Sequence, residues 1–246
     1  MKFKSCLPYI ILSSIIIVSL FSMFIRAIYD ASTGDFGWYY PDGITTFSFE
    51  YSFLQQFSYY SNWTVMLTMI YCIILLFYWN KRSKISGIKN MSTVVMVSNL
   101  VIMILYFSGL LPKLFFGVDS ANSLDTWADW SKSISSHLVM PILMGIIYFF
   151  YLNFETKNIK TYFKTKWWSF TIFISIYIAF ALIRYAMLKT NGFDDPHQNF
   201  PYWFLSPDAM TWYAVVPIIF ALIGGHTLLG IGFVWLNNKT YLKLHK

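Results

Sequence analysis

The chain has 246 residues, of which 57% are hydrophobic, 21% aromatic and only 12% charged. Soluble domains carry about a quarter charged residues, so this composition excludes an ordinary water-soluble domain and, equally, a disordered chain. Two cysteines exclude a disulfide-built secreted scaffold. The net charge of +7 is expected from the asymmetric loops of a membrane protein, with no nucleic-acid partner.

A helix rises about 1.5 Å per residue and must cross about 30 Å of hydrocarbon, so a span needs about 20 mostly apolar residues. Six stretches qualify in chain order: 7–28, 54–79, 91–111, 133–151, 167–187 and 211–236. Lys2 and Lys4 precede the first run as in a signal peptide, but the run is long and no small-x-small site follows, so it reads as a retained helix. The expected fold is all-α and integral to the membrane: one six-transmembrane-helix bundle over 1–246.

Charge predicts the orientation. The N-terminus, the 80–90 and 154–166 connections and the C-terminal tail hold thirteen of the eighteen Lys and Arg and a single acid, Glu155. Basic connections stay in the cytoplasm, so both termini are expected there, in a multi-pass protein of the cell membrane. The connections of the other side, 29–53, 112–132 and 188–210, are rich in aromatics, Gly, Pro and Asp, and loops longer than about 15 residues are usually functional or mobile.

Ionisable and amide side chains cost roughly 2.5–3.5 kcal/mol each in hydrocarbon on insertion scales, so those within the spans need a reason. They are Arg26, Gln55, Ser58, Ser61, Asn62, Asn99, His137, Arg184 and His226. On a second helix starting at residue 54, Gln55, Ser58 and Asn62 follow i, i+3, i+7 and share a face, with Ser61 beside them. Ser133, His137 and Pro141 line up on the fourth. The alternating directions of the helices bring Ser58, His137, Arg26 and Arg184 to about one depth. A His beside a hydroxyl takes its proton and raises its nucleophilicity. Asn62 or an Arg would support the oxyanion.

Plainer readings stand beside these. Serines in membrane helices bond back to their own backbone, Asn bonds across helices, and Arg26 and Arg184 can snorkel outward. His226, near Gly224 and Gly225, fits close helix packing around a hydrogen-bonded imidazole. Asp194, Asp195 and His197 are too weak a pattern for a metal site, so no metal or other cofactor is expected. Asn62-Trp63-Thr64 matches a glycosylation sequon but lies in a span.

Three motifs carry a resemblance. Phe57-Ser58-Tyr59-Tyr60-Ser61-Asn62 resembles the F-T-x-x-S-N signature in helix two of the bacterial six-helix relatives of the androgen-induced transmembrane hydrolases. His137 followed by Pro141 is similar to that family's fourth helix. The 200–207 run, Phe-Pro-Tyr-Trp-Phe-Leu-Ser-Pro, resembles its P-Y-x-F-L-x-P segment. Animal members hydrolyse fatty acid esters of hydroxy fatty acids with an intramembrane Thr and His. The resemblance implies Ser58 as nucleophile, where the signature has Thr, and His137 as base; Ser61, one turn on, is the alternative nucleophile.

The expectation is therefore an intramembrane hydrolase of lipid or fatty acyl esters. Ser58 and His137 would form the dyad, Asn62 and Ser61 would line the oxyanion and substrate site, and Arg26 or Arg184 would hold a lipid carboxylate or phosphate. Membrane lipids would be its partners. The alternatives are a small-solute transporter or channel, in which Asn99 and His226 extend the polar path, and a non-catalytic scaffold or sensor.

Overall fold

The computed structural model describes residues 2–34, 47–49, 53, 56–116, 126–152, 155–190 and 202–244. Among them there is no strand, and six helices are long and apolar enough to cross a membrane. These are α1 (Lys2–Thr33), α2 (Tyr60–Phe77), α3 (Ser86–Phe116), α4 (Trp127–Tyr151), α5 (Ile159–Thr190) and α6 (Trp212–Leu244). Gln55, Asp194, Asp195, His197, Phe200 and Pro201 lie outside the described residues.

Helix α3 is the centre of the bundle and packs against α2, α4, α5 and α6. Every residue from Ser92 to Asn99 is buried, so no face of this stretch reaches the surroundings. The outer helices each keep an exposed apolar stripe. On α5 it is Ile172, Ile176, Ile183 and Met187, at the spacing of one helical face. Inside, the packing is tight: a Cβ added to Gly230 of α6 would lie 2.8 Å from three ring carbons of Phe170 on α5. Lipid tails are as apolar as a core side chain, so such close packing, together with interhelical hydrogen bonds, holds a membrane bundle together.

Contacts mark the two ends. At the basic end, the Asn238 amide accepts from the Lys157 N–H at 2.8 Å and donates to the Lys157 carbonyl at 2.7 Å, pinning the α4–α5 connection to α6. Lys89 pairs there with Glu155 at 3.1 Å. Burial lowers the Lys157 ammonium below the ordinary lysine value, while the Tyr162 ring faces its Nζ at 4.7 Å. The opposite end gathers the C-terminal part of α1, the chain entering α2 and the first turns of α4, and is the site end below.

Helix α4 is not regular. An α-helical segment, Trp127–Ile134, widens into a π turn at Ser135–Val139, resumes over Met140–Ile146 and widens again at Ile147–Tyr151. Pro141 has no N–H for the His137 carbonyl four residues back, and its ring crowds that carbonyl. A wider turn relieves both conflicts, and π turns of this kind are frequent at functional sites.

Candidate active site

The second helix starts later than its hydropathy implies. Residues 54–59 were expected to be its first turns, but Gln56–Tyr59 form a turn in which the Tyr59 N–H donates to the Gln56 carbonyl at 3.2 Å, and α2 begins at Tyr60. Ser58 is therefore a turn residue, and the helical face argued for Ser58 and Asn62 does not exist. Non-helical backbone at membrane depth survives only where its polar groups find partners in the protein. Here side chains supply them. The Gln56 carbonyl also accepts from Asn62 Nδ2, the Phe57 carbonyl from Trp63 Nε1 at 2.7 Å, and the Ser58 carbonyl from Tyr177 of α5 at 2.7 Å. Asn62-Trp63 is thus the clamp that lets the chain turn before α2.

Ser58 and Ser61 are both buried. Tyr202 stands against Ser61, and burial pushes its phenol up to about 12, so it remains a neutral hydroxyl. Asn62 is 2% exposed and Gln56 5%. Each has one satisfied side-chain atom and one that meets no partner among the described residues: Asn62 Oδ1 and Gln56 Nε2. A buried polar atom left without a hydrogen bond costs about 1–3 kcal/mol, so these two atoms await water or a ligand. Gln56 Oε1 accepts from Lys132 Nζ of α4 at 3.1 Å, which fixes which end of the amide is the donor.

His137 sits in the π turn, half-buried and stacked on Tyr106 with centroids 4.1 Å apart. Its Nδ1 lies 2.8 Å from Ser136 Oγ and 3.2 Å from the Ser133 carbonyl. The Ser136 hydroxyl donates its one proton to the Lys132 carbonyl at 2.8 Å, so it can only accept from the ring. Nδ1 therefore carries the proton, and Nε2 presents a lone pair, the tautomer a general base needs. Among the described residues no hydrogen bond joins His137 to Ser58, although α2 packs against the π turn.

The arginines divide. Arg26 is 5% exposed; its Nε donates to Asp30 at 2.7 Å and its Nη1 to Asp129 at 2.8 Å. Asp129 also closes a capping box with Thr126 at the start of α4. Arg26 thus ties α1 to α4; it does not snorkel, and two carboxylates occupy its guanidinium. Arg184 is half-buried near Tyr59 and Tyr177. Beneath the turn, the Tyr60 hydroxyl lies 2.9 Å from His226 Nε2. His226 Nδ1 faces the Leu222 carbonyl at 3.0 Å and must donate there, so Tyr60 donates to Nε2. His226 thus joins α6 to the first turn of α2. Mid-bundle, Asn99 donates to Thr68 Oγ1 at 2.8 Å, the interhelical role that fits an amide in a membrane helix.

Sequence reasoning missed Gln56, Lys132, Ser136, Asp30 and Tyr60. The spacing of Arg26 and Asp30 and the T-x-x-D capping box before α4 were readable signals for part of this network. No family model, curated protein or solved structure matches the chain.

Proposed function

We propose that this protein is an intramembrane hydrolase of lipid or fatty acyl esters, related to the androgen-induced transmembrane hydrolases, with Ser58 as nucleophile and His137 as base. One observation carries the reading. Hydrogen bonds linked through the covalent frames of Gln56 and Lys132 lead from Asn62 to the Gln56 carbonyl, from the Gln56 side chain to the Lys132 ammonium, and from the Lys132 carbonyl through Ser136 to His137. They link the turn that holds Ser58 to His137, whose Nε2 makes no hydrogen bond among the described residues. Ser58 and His137 then act through a water or the bound acyl group, a loose arrangement common in enzymes without substrate. The basic connections face the cytoplasm and the site faces the outer leaflet, from which membrane lipid enters sideways. No cofactor is required.

A scaffold is the second reading, favoured by the separate partners of Ser58 and His137. A channel is disfavoured by the fully buried Leu12, Ile15, Leu75, Val95, Met144 and Ile147 across the basic half. Labelling of the purified protein with a serine-reactive fluorophosphonate decides. Wild type labels, and Ser58→Ala and His137→Ala do not. Full labelling and ester turnover in both variants would end the hydrolase reading, and loss in Ser61→Ala alone would move the nucleophile by one turn.

A further inference from the structure

Every hydrolase of this kind needs a donor for the oxygen that becomes negative when the carbonyl is attacked. Asn62 is the residue the sequence offers, yet one of its N–H groups is held by the Gln56 carbonyl, and its open atom, Oδ1, is an acceptor that would repel an oxyanion. A buried donor atom with no partner among the described residues, Gln56 Nε2, lies two residues before Ser58. We propose that Gln56 is the oxyanion donor, and that Lys132 is the positioning residue that aims it; this rests on the hydrolase reading above.

Three features support the assignment. Lys132 Nζ can only donate, so its bond to Oε1 turns Nε2 to the other side of the amide. Gln56 is 5% exposed and Nε2 meets no partner, so its N–H groups are shielded from solvent and free for a ligand oxygen. The ammonium behind Oε1 polarises the amide and makes Nε2–H a stronger donor, since hydrogen bonds in a chain polarise one another. Asn62 Oδ1, the open acceptor, is suited to a hydroxyl proton, such as that of water.

The step is then balanced. Ser58 Oγ bonds to the ester carbon as its proton passes to His137 Nε2, and the π pair of the C=O moves onto oxygen, where Gln56 Nε2–H holds it. Collapse restores the C=O and breaks the bond to the alcohol oxygen, which leaves with the proton from His137. Water repeats the sequence on the acyl-serine and releases the carboxylic acid.

Gln56→Glu tests this, because a carboxylate keeps the shape and the bond to Lys132 but has no N–H. Its rate of fluorophosphonate labelling and its kcat for p-nitrophenyl laurate in detergent micelles should both fall at least about a hundredfold, the usual loss for one oxyanion donor. KM and the apparent melting temperature should change little. Lys132→Met keeps Gln56 and should lower kcat in the same direction by less, which serves as the test should Gln56→Glu fail to fold. Wild-type labelling and turnover in either variant, with both lost in Ser58→Ala, would overturn the Gln56 assignment and leave the hydrolase reading standing. Unlabelled wild-type protein, or full labelling and turnover in Ser58→Ala, Ser61→Ala and His137→Ala alike, would overturn both.

Discussion

The Tyr60–His226 bond offers the cleanest test of how the bundle is held together. Both residues are 2% exposed, and the phenol approaches Nε2 at 2.9 Å. Tyr60→Phe removes one oxygen and leaves the ring in place against Phe173 and Tyr177. It also leaves a buried imidazole lone pair without its donor, because His226 Nδ1 already uses its proton on the Leu222 carbonyl. Stranding a buried acceptor costs about 1–3 kcal/mol. Taking ~2 kcal/mol, the apparent Tm should fall by about 4–8 °C for a chain of this length. Cys72 supplies the readout: it is fully buried, whereas Cys6 is exposed, so in a Cys6→Ser background a thiol-reactive dye reports only unfolding. The double variant Tyr60→Phe/His226→Phe removes both partners and should lose less than the sum of the two single variants. An unchanged midpoint in Tyr60→Phe, or strict additivity in the cycle, would refute the argument that this bond ties α2 to α6.

The same thermal assay checks two further contacts. Gly230→Ala drives a methyl to within 2.8 Å of the Phe170 ring and should destabilise by about 1–3 kcal/mol, with partial rescue by Phe170→Leu; a neutral result would mean that α5 and α6 separate freely. Arg26→Met takes one bond each from Asp30 and Asp129 and should cost about 3–5 kcal/mol. That loss should be smaller in an Asp30→Asn background, where one fewer buried charge is stranded, and an equal loss in both backgrounds would refute the ion-pair account.

The spans were legible because hydrocarbon imposes a length and an apolar content that nothing else in the chain imitates. All six predicted stretches fall largely on the six long helices. The site was legible only in part, and the failure has a physical source at residues 54–59. Apolar content says that a segment lies in the membrane, not that its backbone is helical. Phe57, Ser58 and Tyr59 read as the first turns of α2, yet the chain turns there because Asn62, Trp63 and Tyr177 satisfy three successive carbonyls. Two of those three partners are distant in neither sequence nor type, but the third comes from α5, and no periodicity predicts it. Once the helix is taken to begin at Tyr60, the face assigned to Gln55 loses its basis, and Gln56 becomes the glutamine that reaches α4.

His137 shows the converse, where a local rule was readable but its consequence was not. Pro141 four residues on announces a disturbed helix, yet a kink, a break and a π turn all satisfy that rule. The π turn is the solution that keeps α4 continuous from its capped start at Thr126 while accommodating the proline. It also sets Ser136 beside His137, where the serine's single proton on the Lys132 carbonyl determines the tautomer of the ring. Lys132 in turn orients Gln56. The proposed base and the proposed oxyanion donor are therefore both referenced to Lys132, one through its backbone carbonyl and the other through its ammonium, so that Lys132→Met releases Gln56 and leaves the Ser136–His137 link in place.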